Sequence, residues 1–392
     1  MSINPFPMNS SPHTECEMTS NQPKSTLFER PSEMKLPWEH GSEFHLSENI
    51  RQDRPYSSPW DGKGLLFGTG RDAMKAILLF CMASRGWKRL WVPAYFCQEV
   101  VGAIAETGMT LQSYSSWFPG SSGGNKSPEF MIGDVILVVN HFGLFSSPEF
   151  DVSKASAVIE DHTHDPWSAW AFKSKADYCV ASLRKTLPVP DGGALWSPKQ
   201  KELPTQSPLT RQHRLAAERK LEAMRMKALY LNDQIADKSG YRALQLAGDE
   251  TLSGRDISAI SEWTEQNMCG FPVRKWREVR KRNHETLRWA LSSLKWVQVV
   301  CPEMMMEIVP FSCILLFDTA ERREFVRLEL IQASIYPAIL WSLEEPALRD
   351  IPREHSDASR RMLSIHCDMR YSERDMLHVA DCIERFGNEF RG

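Results

Sequence analysis

Short hydrophobic runs alternate with helical patterns between residues 68 and 196. The runs at 90–92, 111–114, 135–139, 157–160, 178–181 and 194–196 have the length of buried strands. Residues 71–85 and 98–106 carry apolar side chains at helical spacing. Strands that alternate with helices indicate a mainly parallel sheet with helices on both faces.

The pattern changes after residue 199. Residues 209–295 are rich in helix-forming and charged residues, which predicts long helices at 211–231 and 273–294. The last hundred residues mix both patterns and predict the strands 311–317, 335–340 and 362–366, with helices at 320–332 and 372–385. Ser372, followed by Asp375, resembles a capping box at the start of the last helix. We therefore predict a three-layer α/β/α domain at 61–275 and a smaller C-terminal α+β domain at 276–392.

The first 60 residues are rich in Ser, Pro, Asn and Glu and have no sustained period. We expect a flexible tail that leads into an extended arm, with an ordered coil on the body as an equal alternative for residues 35–60. No basic stretch precedes an apolar one in this region, so a secretory signal is not expected.

Composition narrows the classes of function. The 392 residues include 47 basic and 50 acidic ones, so no positive surplus favours nucleic-acid binding. The nine cysteines are odd in number and scattered, which is typical of a reducing compartment. The longest apolar runs are too short to span a membrane. We expect a soluble, cytoplasmic protein.

A glycine-rich start to the first helix could bind an anion. Gly68-Thr69-Gly70 precedes Arg71, and small residues there would let backbone N–H groups approach a negative charge at the helix N-terminus. Alone this signal is weak, because a glycine pair before a helix is more often only a turn.

Acidic and imidazole side chains follow the strand at 157–160. Asp161 is expected at the carboxyl edge of the sheet, where its carboxylate could pair with a protonated ring nitrogen, and His164 could contact the same ligand. A metal site of Asp161, His162, His164 and Asp165 is a less favoured alternative, because consecutive residues at a strand end point in different directions. A polar loop without function is the third interpretation.

Lys185 follows the strand at 178–181 and is expected at the same edge. Packing among Leu183, Leu187 and Pro188 would lower the pKa of its amine and favour the neutral nucleophile. Ser182 could donate its hydroxyl to a phosphate. The later turn, Gly192-Gly193, would let the backbone pass beneath a planar ligand. Because a single loop lysine is usually only solvated, the prediction rests on all four segments.

In their order, these segments resemble the fold type I enzymes that use pyridoxal 5′-phosphate (PLP), the aspartate-aminotransferase-like class. They are most similar to the DegT/DnrJ/StrS sugar aminotransferases, whose segments are G-T-x-A-L, V-P-x-x-T-F, E-D-x-A-Q, S-F-x-x-x-K and G-G. The corresponding stretches are Gly68–Ala73, Val92–Phe96, Glu160–His164, Ser182–Lys185 and Gly192-Gly193. Lys185 lies closer to Ser182 than is common in the family, and the N-Y-R-M signature is missing after residue 205, as in a divergent member.

The resemblance implies a role for each residue. Lys185 would hold PLP as a Schiff base and move the proton during catalysis, and Asp161 would pair with the pyridinium nitrogen. His164 stands where the family usually has Gln, near the phenolic oxygen. The phosphate would be bound by Thr69, Ser182 and the amides of Gly70 and Arg71. Phe96, in preference to Tyr95, would stack on the ring.

The function that this resemblance implies is amino transfer from an amino-acid donor to a keto substrate, such as a nucleotide-linked keto sugar. Arg360, Arg361 and Arg370 are candidates to hold the carboxylate of the donor. A PLP-dependent lyase, decarboxylase or carbon–carbon bond-forming enzyme is one alternative. A non-catalytic scaffold is another. Members of the class generally form homodimers with the site at the interface.

Overall fold

A computed structural model of the protein describes residues 37–46, 56–121, 128–148, 151–252, 254–301 and 307–392. The strands are β1 (His40–Gly41), β2 (Gly64–Phe67), β3 (Arg89–Pro93), β4 (Thr110–Tyr114), β5 (Asp134–Val139), β6 (Ala157–Asp161), β7 (Tyr178–Ser182), β8 (Gly193–Trp196), β9 (Val297–Val300), β10 (Cys313–Phe317), β11 (Ile335–Tyr336) and β12 (Met362–Ile365). The helices are α1 (Gly70–Arg85), α2 (Gln98–Ala105), α3 (Ala169–Lys173), α4 (Arg211–Leu231), α5 (Lys238–Leu252), α6 (Glu262–Asn267), α7 (Val273–Ala290), α8 (Ala320–Gln332), α9 (Arg353–Arg361) and α10 (Glu373–Glu389).

A seven-stranded sheet in the order β2-β8-β7-β6-β5-β3-β4 forms the centre of the fold. Strands β3 to β7 run parallel, and β8 is antiparallel to both of its neighbours, β7 and β2. Every residue of β5, β6 and β7 is buried, as expected for parallel strands with both faces covered. The predicted mainly parallel sheet is confirmed.

Alternate residues of the central strands enter two separate cores. Val135, Leu137 and Val139 pack with apolar residues of α1 and α2 on one face. Ile136 and Val138 face the other side, where they pack with α3 and with the apolar residues at 268–276. This period of two places helices on both faces of the sheet, so the predicted three-layer arrangement is confirmed.

Strand direction brings separate parts of the sequence to one edge of the sheet. The parallel strands β6 and β7 end there at Asp161 and Ser182. Because β8 is antiparallel, its first residue, Gly193, pairs with Ser182 on one side and with Phe67, the end of β2, on the other. The start of α1 follows directly, with Thr69 as its N-cap: the Thr69 hydroxyl accepts from the N–H of Asp72 at 3.0 Å.

A smaller antiparallel sheet, β12-β10-β9, packs against α7, α8 and α10 and forms its own core. The capping box at Ser372 and Asp375 is confirmed at the start of α10. The predicted strand 335–340 is only two residues long, because Pro337 has no N–H to continue a ladder. The predicted domain boundary at residue 275 stays a prediction. None of the described helices has the length and apolar character of a membrane span.

Residues 37–46 lie on the body of the protein and are held there by Arg370. The Arg370 guanidinium donates to the carbonyls of Gly41, Ser42 and Glu43 at 3.2, 3.0 and 3.2 Å, and it lies 4.5 Å from the centre of the Phe44 ring. Strand β1 also pairs in parallel with β11. Of the rest of the predicted tail, residues 56–60 are described, with Trp60 buried, and residues 1–36 and 47–55 lie outside the described residues.

The anchor of this segment gives a prediction for stability. Asp368 bonds Arg370 through both carboxylate oxygens at 2.8 Å, and this ion pair lowers the carboxyl pKa well below its ordinary value, although burial alone would raise it. We expect Asp368→Asn to lower the free energy of unfolding by about 3 kcal/mol, because it leaves a buried guanidinium without its counterion. Urea unfolding at pH 7 measures the loss.

The pH dependence provides the control. The contribution of Asp368 to the free energy of unfolding is complete above its unfolded-state pKa of about 4. It is lost as the pH falls towards the lower pKa of the folded state. The difference between wild type and Asp368→Asn should therefore shrink in acid. Asp357→Asn, which removes a half-exposed carboxylate beside Arg361, should cost less than about 1 kcal/mol. Equal losses for both variants would contradict the prediction.

Candidate active site

A cavity of about 660 Å³ lies at the edge of the sheet where β6 and β7 end. The eight residues that were predicted to bind the cofactor or to act in catalysis all line this cavity: Thr69, Gly70, Arg71, Phe96, Asp161, His164, Ser182 and Lys185. Their convergence follows from strand direction, because β2, β6, β7 and β8 each bring one end to this edge. The structure therefore brings four of the five predicted segments together in one cavity, whereas Gly192 and Gly193 lie behind it, packed against Leu183 and Thr69.

Backbone packs closely at the floor of the cavity. A Cβ atom on Gly70 would lie 2.9 Å from the Cβ of Ser182, and one on Gly193 would lie 2.2 Å from the carbonyl oxygen of Thr69. The first turn of α1 thus lies directly against the end of β7 and the start of β8. N–H groups of a first helical turn lack partners within the helix and bind anions. The Arg71 side chain is engaged with Glu99 and the Leu252 carbonyl, so only its backbone fits such a role.

Asp161 is a buried carboxylate without a cationic partner among the described residues. Its Oδ1 atom accepts the N–H of Thr163 at 2.8 Å, and only 8% of the residue is exposed. Burial raises the pKa of Asp161, and the hydrogen bond from Thr163 and the nearby His162 offset this only in part. A positively charged group on a ligand would relieve this cost.

His164 is held as a neutral imidazole. Its Nδ1 atom accepts the N–H of Phe142 at 2.9 Å, so the ring proton is on Nε2. Burial, followed by the charges of His141 and Lys185, lowers its pKa to about 3. The ring is nearly parallel to those of Phe142 and Trp341, at interplanar angles of 19° and 23°. His164 can therefore donate a hydrogen bond from Nε2 at neutral pH.

Lys185 ends a short 3₁₀ turn, Leu183–Lys185, and makes no hydrogen bond or ion pair with any described residue. Its side chain is exposed to the cavity. The Arg184 guanidinium is the main cause that lowers the pKa of Lys185, and desolvation of the amine by the cavity walls adds to this effect, while Glu43 and Cys97 act in the opposite direction. Arg184 is in turn fixed by Asp249 at 3.0 Å.

Aromatic side chains cover one wall. Phe96 lines the cavity, whereas Tyr95 is fully buried and donates its hydroxyl to the Leu340 carbonyl at 2.9 Å. Trp341 also lines the cavity, with its ring 5.7 Å from that of Phe96. The sequence did not identify Trp341, since it lies in an irregular stretch without a local motif.

The arginines proposed for a donor carboxylate are engaged elsewhere, which corrects the sequence prediction. Arg361 bonds Asp357 at 2.8 Å and the Phe317 carbonyl at 2.9 Å, and neither Arg360 nor Arg361 lines the cavity. Arg370 lines it but is neutralised by Asp368. A different arginine, Arg280, lines the cavity and has no hydrogen bond or ion pair with any described residue.

Residues of the N-terminal segment complete the wall. Ser42, Glu43 and Phe44 line the cavity, although the sequence gave no signal for them. Partial burial alone would raise the pKa of Glu43, but Lys220 at 3.7 Å and the nearby Arg184 lower it to about 2. Glu43 therefore carries a negative charge among these cations.

The alternative of a metal site finds no support at Asp161, His162, His164 and Asp165. His162 bonds Glu160 at 2.9 Å, and Asp165 pairs with Arg277 through both oxygens, so these side chains do not converge. Among the described residues, Glu160, His162 and Cys179 come close to one another. Burial raises the pKa of Cys179 well above its usual value, which keeps the thiol protonated. This group is an internal hydrogen-bond network.

Comparison with known proteins identifies the fold. No protein-family model and no curated protein matches the sequence. PseC of Helicobacter pylori, an aminotransferase involved in the biosynthesis of pseudoaminic acid, is 11% identical with a TM-score of 0.54, over 83% of this chain and 87% of PseC. Spr1654 of Streptococcus pneumoniae, assigned as a sugar aminotransferase and solved in a PLP form, is 10% identical with a TM-score of 0.53, over 84% and 88%.

DesI, solved in the presence of its TDP-sugar product, is 15% identical with a TM-score of 0.51, over 83% of this chain and 80% of DesI. Likeness at these identities concerns the fold. The chain has the α/β fold of these aminotransferases, so the fold predicted from the resemblance to fold type I enzymes is confirmed.

Proposed function

We propose that the protein is a PLP-dependent aminotransferase in which Lys185 holds the cofactor. The observation that carries this proposal is the combination of Lys185 without a partner and Asp161 without a cation in one cavity, beside the first turn of α1. Lys185 matches the aldehyde of PLP, Asp161 matches its ring nitrogen, and the first turn of α1 matches its phosphate. Fold neighbours solved with PLP or a TDP-sugar product support the same interpretation.

PLP, when bound, supplies an electron sink that lets a bond at the substrate α-carbon break. Asp161 would hold the positive charge of the ring nitrogen, and the Nε2–H of His164 would donate to the phenolic oxygen. The first turn of α1, with Thr69 and the Ser182 hydroxyl, would bind the phosphate. Phe96 would pack on the ring face. The Lys185 Nζ atom would accept and return the proton at the reacting carbon.

The substrates belong to the same proposal. An amino acid serves as donor, and a keto sugar, in nucleotide-linked form, serves as acceptor. A cavity of about 660 Å³ accommodates more than a single amino acid. We further propose a cytoplasmic homodimer with the site at the subunit interface, as the resemblance to the family implies.

The test is covalent labelling. The protein is incubated with PLP, its visible spectrum is recorded, it is reduced with borohydride, and the modified peptide is mapped by mass spectrometry. Cofactor trapped on Lys185 supports the proposal. A colourless protein with unmodified Lys185 would reject both the aminotransferase and the other PLP reactions. Exchange of the amino group with labelled glutamate then separates a transaminase from a lyase or decarboxylase.

Arg184 is expected to tune the rate of cofactor attachment. Since Arg184 is the main cause of the lowered pKa of Lys185, Arg184→Met should raise that pKa and reduce the neutral amine at pH 7.5. Attachment of PLP should slow down at this pH and recover as the pH rises. The change is followed by stopped-flow absorbance, where one pKa unit corresponds to about a tenfold change in rate.

Arg184→Lys serves as the control because it keeps the positive charge. Folding should not change in either variant, since Asp249 keeps its ion pair with Lys220 at 2.8 Å. The role assigned to Arg184 is wrong if Arg184→Met and wild type show the same pH midpoint.

A further inference from the structure

We infer that Arg280 binds the carboxylate of the amino-acid donor. This inference rests on the proposed function and names the group that recognises one of its substrates. Helix α7 places Arg280 in the wall of the cavity, where only 4% of the residue is exposed. It makes no hydrogen bond or ion pair with any described residue, in contrast to the buried Arg323 and the largely buried Arg277 and Arg370.

The contrast with those arginines is informative. Arg277, one turn earlier on α7, bonds Asp165 through both carboxylate oxygens at 3.0 and 2.7 Å. Arg370 has Asp368, and Arg323 has Glu324 and the Arg360 carbonyl. Burying a guanidinium without a counterion costs about several kcal/mol, because the charge loses its hydration and the protein replaces it only in part. A ligand that carries a negative charge into the cavity would offset this cost at Arg280.

The position of Arg280 is rigid before any ligand binds. Asn283, three residues later on α7, donates its side-chain amide to the carbonyls of Cys367, Asp368 and Tyr371 at 3.3, 3.3 and 2.8 Å. These bonds fix this part of α7 against the segment that follows β12. A guanidinium fork on a fixed helix presents two parallel N–H donors, which match the two oxygens of a carboxylate.

Location favours a carboxylate over the diphosphate of a nucleotide. The charge of Arg280 contributes to the low pKa of His164, so the two side chains are close in the cavity. His164 lies in the same site as Lys185 and Asp161. In an amino acid, the carboxylate is attached to the carbon that reacts. In a nucleotide sugar, a sugar ring separates the diphosphate from the reacting keto carbon.

The experiment measures ligand binding without turnover. Protein incubated with PLP is titrated by calorimetry with glutarate, with the neutral glutaramide and with thymidine diphosphate. We expect Arg280→Met to weaken glutarate binding by about 100-fold and to leave the affinity for thymidine diphosphate unchanged. Arg280→Lys, which keeps the charge but loses the fork, should weaken glutarate binding by about tenfold. Glutaramide should bind all three proteins equally weakly.

Arg242→Met is the matched control, because Arg242 also lines the cavity but is exposed. It should change the affinity for glutarate by less than about twofold, because solvent and salt screen the charge of an exposed arginine. Thermal unfolding checks the fold: Arg280→Met removes no ion pair, so its midpoint should not fall below that of the wild type. With labelled glutamate, KM for the donor should rise far more than kcat falls.

Three outcomes would overturn the inference: equal glutarate binding by wild type and Arg280→Met, loss of thymidine diphosphate binding instead, or no measurable glutarate binding by the wild type. The proposed function is tested separately, by the visible spectrum of the same samples, which reports whether the cofactor is attached. If the cofactor is attached to Lys185 but wild type and Arg280→Met bind glutarate equally well, only the role of Arg280 is rejected. Absence of cofactor rejects the proposed function, whatever the titration shows.

Discussion

Lys185→Ala is expected to abolish covalent attachment of PLP and to lower the rate of amino transfer by about 10²–10⁴-fold, the contribution of a positioned proton-transfer group. The variant lacks the amine that the sheet edge presents to the cavity, and alanine can neither bond the cofactor nor move a proton. Visible absorbance and mass spectrometry after borohydride reduction measure the first effect, and amino exchange with labelled glutamate measures the second.

Two controls sharpen this result. Lys238→Ala removes another lysine that lines the cavity, one that is ion-paired with Glu39, and it should keep the cofactor attachment. Added methylamine should restore part of the exchange rate in Lys185→Ala, because a small free amine can replace the missing proton acceptor. Normal absorbance and exchange in Lys185→Ala would contradict the assignment of Lys185.

Asp161→Asn is expected to lower the rate by about 10²–10³-fold while PLP remains attached to Lys185. An amide has nearly the shape of the carboxylate but cannot balance a positive ring nitrogen. The exchange rate with labelled glutamate and the absorbance of the attached cofactor are measured on the same sample. A rate within a factor of about three of the wild type would show that the ring nitrogen has no counterion in this site, since such charge stabilisation is worth far more.

The same substitution should stabilise the protein without cofactor. Burial raises the folded-state pKa of Asp161, so its contribution to stability is present below the unfolded-state pKa and is lost as the pH rises through the folded value. At pH 7 the buried carboxylate therefore disfavours folding, and Asp161→Asn removes this cost. Urea unfolding of the cofactor-free protein should show a higher midpoint for Asp161→Asn at pH 7 and a smaller difference in acid.

Local patterns were sufficient to predict six of the seven strands of the central sheet and the edge where the site lies, whereas β2 (Gly64–Phe67) was not predicted. The strands around Ile136 and Ile159 are uninterrupted apolar runs, and α1 has a clear helical period after Thr69. Because parallel strands end at the same edge, Asp161 and Lys185 could be placed together without knowledge of the remaining chain.

The rest of the site depends on packing between distant segments. Glu43 and Trp341 line the cavity from irregular stretches that carry no local motif. Arg280 is one of several charged residues on α7, and the sequence alone does not show which face of this helix is buried. Arg361, one of the three arginine candidates, did carry a signal against this role in the sequence. Asp357 lies four residues earlier, a spacing that favours an ion pair on one helix.

The attachment of residues 37–46 has a consequence for how the protein is made. One wall of the cavity comes from Glu43 and Phe44, yet Arg370, near the far end of the chain, holds this segment in place. During synthesis on the ribosome, the sheet of residues 64–196 can form long before Arg370 emerges. The nascent chain can thus form its scaffold before Arg370 fixes this wall of the cavity.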